Sequence, residues 1–290
     1  MKKEVRFGPS GNDALFYAQG FKSTVQAPKW VSELGLSAFE YSFTRGTNMT
    51  MDTARKIGAE AEKYGIEMSA HAPYYVNLGK GPFKIGDEEF AKNYKWISKC
   101  IELVNAMGGN RVVVHLGSQG EFGREVAVEN VRVNLSNIIK ELDKNGLSNF
   151  LLCIETMGRP KMIGTHEEIC SLCSIDERVI PTLDFGHINC ILQGELQRNS
   201  NKIREIMDYV ESMIGLEKLR KIHIHWSAIV YTDKGERMHT ILDDEKWNFD
   251  FGVLASIIIE KGLFPVVICE SKNIMAQDAV KLLNEFRKTM

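Results

Sequence analysis

The sequence lacks the features that would mark a nucleic-acid-coating, membrane-spanning or disulfide-stapled protein. Lys and Arg number 36 against 38 Asp and Glu, a formal net charge of −2. No global basic field therefore draws in polyanions, and any such binding has to come from a local patch or from bound metal. No apolar run reaches the ~20 residues that a membrane-spanning helix needs, so no membrane association is expected. The opening residues MKKEVRFGPS contain no apolar signal core, which leads to the expectation of a cytoplasmic protein. The six cysteines lie mostly inside apolar runs such as LLCIE and VVICES, and read as buried, reduced thiols rather than a disulfide framework. Cys170 and Cys173 form a lone C-x-x-C in a helical pattern, without the second pair that a zinc site would need. Linkers rich in Pro, Gly or Ser, charge blocks and short repeats are also missing. Residues 1–290 therefore read as a single domain.

What the chain does contain is an alternation of short β-rich runs and amphipathic segments. The spacing predicts strands at Val5–Gly8, Ala38–Phe43, Glu67–His71, Arg111–Leu116, Leu151–Glu155, Val179–Asp184, Lys221–Trp226 and Phe264–Glu270. Several are near-continuous apolar runs (RVVVHL, FPVVICE), as expected of parallel strands buried on both faces. Helical periodicity marks Glu88–Met107, Val126–Leu142, Lys202–Ile214 and Asp250–Lys261, and Thr165-x-x-Glu168 has the form of a capping box. Eight strands alternating with helices over this length predict an α/β protein, a (β/α)₈ TIM barrel. The rival, a doubly wound open sheet, is weakened because no Gly-rich phosphate loop follows the first strand.

The ends of the predicted strands carry the chemistry. His71 ends EMSAH, His115 follows RVVV, Glu155 ends FLLCIE and Asp184 ends VIPTLD, with His187 three residues on. His223 and His225 lie in KIHIHWS, and Glu270 follows FPVVIC. In a barrel these ends converge on one mouth, where side chains are usually catalytic. A lone strand-end histidine is often structural and a lone acid often a helix cap, but coincidence at six successive ends is a poor account. Several carboxylates cannot share a cavity without a counter-charge, which points to metal. The mixture of imidazole and carboxylate suits zinc, with manganese or iron as alternatives. His223 and His225 face the same side of their strand, so one can ligate while the other touches substrate or backs the site. The following loop, AIVYTDKGERMHTILDD, offers Glu236 and His239 as further ligands, whereas His166, near a helix start, reads as surface.

These residues, in this order, resemble the endonuclease IV family, zinc-dependent apurinic/apyrimidinic endonucleases of the xylose-isomerase-like barrel superfamily. The resemblance runs from about Ser69 to Glu270 and is carried by HAPYYVNL, VVVHLGS, CIETMG, LDFGH and ICES. It implies a phosphodiester hydrolase that cleaves DNA at abasic sites in base excision repair, with two to three Zn²⁺ ions and no obligatory protein partner. By position, His71, His115 and Glu155 would hold the first ion. Glu155 would bridge to the second, completed by Asp184, His223 and Glu270. His187, Glu236 and His239 would hold the third. Glu155 and Glu270 are the candidates to orient or deprotonate the attacking water, and Tyr74, Arg45 and His225 are the candidate substrate contacts.

The chain departs from the family pattern in three places. Glu236-x-x-His239 replaces an Asp and a His one residue apart, TILDDEKWNF replaces a Gly-rich segment, and RFGPSG replaces an N-terminal His-Val-Ser strand. Two other readings stay open. A single-metal sugar isomerase or epimerase of the same superfamily would use Glu155, Asp184, His223 and Glu270, taking a small sugar or phosphoester. A metal-containing binding protein without catalysis would keep the fold alone.

Overall fold

Parallel strands covered on both faces need apolar residues at nearly every position, and the chain supplies them in eight short runs. The computed structural model describes residues 4–44 and 46–290. Its strands are β1 (Arg6–Pro9), β2 (Ala38–Ser42), β3 (Glu67–His71), β4 (Arg111–Val114), β5 (Leu151–Glu155), β6 (Val179–Asp184), β7 (His223–Trp226), β8 (Ile229–Thr232), β9 (Gly235–His239) and β10 (Val266–Cys269). Eight of them pair in parallel in the order β1-β10-β7-β6-β5-β4-β3-β2. A parallel bridge between Ser10 and Glu40, and the Ser37 amide donating to the Phe7 carbonyl at 3.0 Å, bring β1 against β2 and draw the ring together. The expected TIM barrel is therefore present, and all eight expected strands belong to it.

The four helices marked by periodicity run Glu88–Ala106, Arg124–Lys144, Asn201–Ile214 and Phe251–Glu260, each within two residues of its predicted range, and Met51–Tyr64 and Met275–Thr289 are further long helices. Their apolar stripes (Ile97, Ile101 and Val104 in the first) pack onto the outside of the barrel. The capping box at Thr165 forms, the Thr165 Oγ1 accepting from the Glu168 amide and Glu168 accepting from the Thr165 amide. Glu168 also takes two hydrogen bonds from Arg124, which ties the helix His166–Leu172 to its neighbour. The sequence gives no warning of β8 and β9, an antiparallel hairpin that rises from the end of β7 where a loop is expected.

Side chains two apart on each strand point into the barrel, so its interior is built in layers. At the floor Arg111 is buried, paired with Glu67 at 3.2 Å and donating to the Lys221 carbonyl at 2.8 Å. Above it lie small apolar groups that are separate from the outer core, Ala38, Val266 and Ile268 on one side and Val113, Leu151, Cys153 and Ile180 on the other. The polar residues come next, toward the C-terminal ends of the strands.

The seam between β1 and β2 depends on Gly8. A Cβ there would stand 1.8 Å from the Ala38 carbonyl oxygen, a backbone atom that cannot move without parting the strands. Gly8→Ala should therefore destabilise the barrel by about 3 kcal/mol or more, as overpacking does when no rotamer can relieve it. Gly123→Ala, where a Cβ meets nothing within 4 Å, should change stability little. Thermal unfolding of the two variants beside the wild type checks this; equal midpoints for Gly8→Ala and wild type would show that the seam does not need the close approach.

Candidate metal centre

On five of the eight barrel strands the last residue (His71, Glu155 and Asp184) or the one after it (His115 and Glu270) is a histidine or an acid at the barrel mouth. The Glu155 carboxylate, fully buried, stands at the centre. Its Oε2 lies 3.1 Å from His71 Nε2 and 2.8 Å from His115 Nε2. Its Oε1 lies 3.0 Å from His225 Nδ1, which is itself 3.5 Å from Glu270. Donor atoms of Glu155, Asp184, His225 and Glu270 all lie within 4.8 Å of one another, as do those of His71, His115 and Glu155. One carboxylate thus divides its two oxygens between two separate ligand groups.

A third group, His187, Glu236 and His239, meets the same criterion. Its odd spacing has a structural answer. Residues three apart on a regular strand face opposite sides. In the hairpin Val230 pairs with Met238 and Tyr231 with Glu236, so Arg237 is skipped as a bulge. The extra residue restores the phase and turns both Glu236 and His239 toward the mouth. Gly158 lets the hairpin dock there, since a Cβ would come within 2.9 Å of Glu236 and 2.8 Å of the His187 ring, and its carbonyl accepts from the Glu236 amide at 2.8 Å.

The imidazoles are held by their far nitrogens. His71 Nδ1 bonds to the Ala72 carbonyl (2.8 Å), His187 Nδ1 to the Thr156 carbonyl (2.9 Å) and His239 Nδ1 to the Ser227 hydroxyl (3.0 Å). A carbonyl partner requires the proton on Nδ1, which in the neutral ring leaves the lone pair of Nε2 free to ligate in His71 and His187. The Asp184 side chain caps the helix Phe185–Ile191 by accepting from the His187 amide at 2.8 Å, placing the two residues side by side.

Electrostatics set these groups against one another. Burial opposes charge on His71, but the hydrogen bond and charge of Glu155, with Glu40 and Glu270 behind, outweigh it and raise its pKa to about 9. His115 leans on the same oxygen and is pushed down, by burial first and by the neighbouring His71 and His187. Burial would raise Glu155 too, but His115 and His225 overcome it and hold the carboxyl well below its usual range. Asp184 goes up, through burial and the proximity of Glu155 and Glu270. Its Oδ2 makes no hydrogen bond, the His187 Nδ1 at 3.2 Å being turned to the Thr156 carbonyl. A buried, unpartnered carboxylate oxygen among imidazoles and other carboxylates is what a divalent cation would satisfy, and the N/O donor set fits zinc, manganese or iron.

The sequence-predicted ligands reach the mouth region or its lining, with one exchange. His225, expected to touch substrate, is fully buried within the second group, while His223 lies a layer deeper against Glu40 at 3.0 Å. The register explains this: His225 pairs with Asp184 and His223 with Thr182, so only the later histidine stands level with the mouth. Tyr74 stays at the rim, 59% exposed, its ring 5.1 Å from that of His115. Arg45 lies outside the described residues. His166 is half-buried against Tyr209 rather than free on the surface.

Sequence reasoning passes over two residues. Glu40, an acid inside the apolar run AFEYS, is fully buried beside His223 and His225, and together they form a fourth group with ligand spacing. Arg159, in ETMGRP, lines the mouth and stands 3.8 Å from Glu236. The mouth cavity is about 370 Å³, lined also by Tyr74, Met157 and Met162. A cavity of about 390 Å³ beside β2 is lined, among the described residues, by Ser42, Thr44 and Asn48 and by no acid or imidazole, and the candidate chemistry belongs to the former.

The sequence model of one protein family, described as xylose isomerase-like TIM barrel, matches residues 28–288. An uncharacterized protein of Methanocaldococcus jannaschii is 31% identical over 253 residues, 87% of this chain and 87% of its own. A probable endonuclease 4 of Clostridium botulinum is 28% identical over 241 residues, 78% of this chain and 80% of that one. Endonuclease IV from Thermus thermophilus superposes with a TM-score of 0.67 at 20% identity, over 98% of both chains. A D-tagatose 3-epimerase-like protein superposes with a TM-score of 0.70 at 21% identity, over 98% of this chain and 97% of that one. At such identities the two structures bear on the fold alone.

The opposed shifts give the metal-free protein a particular pH profile. His71 is raised from the unfolded value of ~6.5 to about 9, so its contribution is complete below ~6.5 and is lost as pH rises through about 9. Glu155 is depressed, so its contribution holds above the unfolded value of ~4.3 and is lost as pH falls. Stability without metal should peak between roughly pH 5 and 6.5 and decline by several degrees in unfolding midpoint toward pH 9.5. With zinc, which needs neutral imidazoles, the alkaline decline should vanish. Melting curves across pH with chelator and with zinc measure both limbs; a chelated protein whose midpoint stays flat up to the alkaline limit would contradict the Glu155–His71 pairing.

Proposed function

The chain belongs to the xylose isomerase-like TIM barrel family, and from that premise we propose that it is a metal-dependent phosphodiester hydrolase that cleaves DNA at abasic sites. The observation that carries the reading is the division of Glu155 between two ligand groups, His71 and His115 on one oxygen and His225 with Glu270 on the other. A single-ion isomerase needs only the second group, Glu155, Asp184, His225 and Glu270, and leaves His71, His115, His187, Glu236 and His239 at the mouth without a task. The similarity to a protein named probable endonuclease 4 supports the same choice.

In this reading His71, His115 and Glu155 hold one ion, Glu155, Asp184, His225 and Glu270 a second, and His187, Glu236 and His239 a third. Bound divalent ions would supply water activation and positive charge for the attacking and leaving oxygens of a phosphodiester. The chain's own residues do the rest. Glu270, which lines the mouth, is placed to take a proton from water there, while Glu155 beneath it holds the ligand groups together. Met157 and Met162 present apolar walls that limit bulk water, and Tyr74 offers an exposed ring edge to a sugar or base. Arg159 is a cation within reach of an incoming anion, standing opposite Glu236. Glu155, Asp184, Glu236 and Glu270 would repel a phosphate, and three divalent ions more than cancel them.

The test uses protein purified without chelator, assayed for bound metal and for cleavage of matched duplexes with and without one abasic position. Two to three ions per chain and cleavage confined to the abasic duplex are expected, with Glu155→Gln losing metal and at least roughly 100-fold in rate while staying folded. One ion per chain together with epimerisation of a free ketose would instead establish the isomerase.

A further inference from the structure

Directly under the mouth the barrel interior breaks a rule of its own fold. The layers below the active end of a TIM barrel are filled by apolar side chains, as Ala38, Val113 and Ile268 fill them here. Between those residues and the ligand groups lies a polar layer of Glu40, Ser69 and His223, all buried. A carboxylate set into such an interior is costly unless every neighbour supports its charge. Glu40 has three such neighbours. Ser69 Oγ donates a hydrogen bond to its Oε2 at 2.9 Å, while His223 Nε2, 3.0 Å from Oε2, and His225 Nε2, 3.2 Å from Oε1, are charge contacts whose angles fall short of hydrogen bonds.

His225 is therefore held between two carboxylates, Nε2 toward Glu40 below and Nδ1 toward Glu155 above. Of the other mouth histidines with a tethered far nitrogen, His71 and His239 rest on neutral oxygens, and His187 Nδ1 bonds the Thr156 carbonyl at 2.9 Å with Asp184 Oδ2 at 3.2 Å beside it. We infer that Glu40 is the positioning residue of the second ligand group: a buried carboxylate, clamped by Ser69 and His223, that keeps the His225 proton on Nε2 and presents Nδ1 as a ligand. An anionic acceptor at the far nitrogen fixes the tautomer and raises the basicity of the ligating one. An ion inside the Glu40 group itself is the weaker account, because His225 would have to lose both ring protons to serve metals on each side. The inference rests on the metal reading of the group above it.

The experiment is a chelator-competition titration of the full-length protein with Zn²⁺, for wild type, Glu40→Gln and His223→Phe. Glu40→Gln should remain folded by circular dichroism and lose about 10–100-fold in affinity for one ion, the others shifting far less. His223→Phe should keep the wild-type number of ions. For a readout that needs no variant, selectively ¹⁵N-labelled histidine in the zinc-loaded wild type should show His225 protonated at Nε2 and metal-shifted at Nδ1. Unchanged affinities in a less stable Glu40→Gln, one ion fewer in His223→Phe, or a proton on His225 Nδ1 would each overturn the inference. A wild type that binds no divalent ion removes the metal reading itself, and this inference with it; a wild type that binds two or three ions with Glu40→Gln unaltered removes the inference alone.

Discussion

The mouth is organised around the need to keep one carboxylate charged where no water reaches it. Glu155 is fully buried, and burial alone would protonate it. It stays ionised because each oxygen has its own imidazoles, His71 and His115 on Oε2 and His225 on Oε1. That arrangement is demanding, since the two sets come from β3, the end of β4 and β7, which must arrive at one level. The parallel register around the ring, with His225 opposite Asp184, is what brings them there. Removing the ring closure at Gly8 or the docking surface at Gly158 would therefore be felt at Glu155, although neither residue touches it.

The same constraint runs downward. A histidine that serves Glu155 with Nδ1 has a second nitrogen pointing into the barrel, and an apolar floor would leave it unsatisfied. Glu40 faces it with a charge at 3.2 Å, and Glu40 is in turn supported by a hydrogen bond from Ser69 and by His223 at 3.0 Å. The polar layer ends at the apolar layer of Ala38 and Ile268, with both ring nitrogens of His223 left without a hydrogen bond. The floor below is locked separately by Arg111 and Glu67.

Much of this could be read from the sequence because the fold writes it in a simple code. Strands buried on both faces are continuous apolar runs, and a candidate ligand at the mouth is the polar residue that ends the run, as in LLCIE and VIPTLD. What resisted reading was depth and phase. HIHW places two histidines on one face, and only pairing with β6 decides which is level with the mouth. Glu40 interrupts AFEYS from the middle, where an acid in an apolar run signals a buried partner but not its identity. The hairpin reads as a loop because IVYT and GERMH are short, partly exposed and mixed in character. Arg159 follows Glu155 in a turn whose path no periodicity fixes.

The hairpin also shows which property of a ligand group has to be maintained. The family pattern pairs an Asp with a His one residue apart, and this chain carries Glu236-x-x-His239. Counted along a regular strand, the change would send one ligand away from the mouth. The bulge at Arg237 absorbs the added residue, and the longer glutamate reaches from a strand seated over Gly158. His187 then stands 3.5 Å from Glu236, and His239 4.0 Å from it on the other oxygen. A motif written as residues and gaps records one backbone solution to a spatial requirement. When the backbone changes by a bulge, the gaps change and the requirement does not, so an altered spacing in a hairpin is weak evidence that a ligand group has been lost.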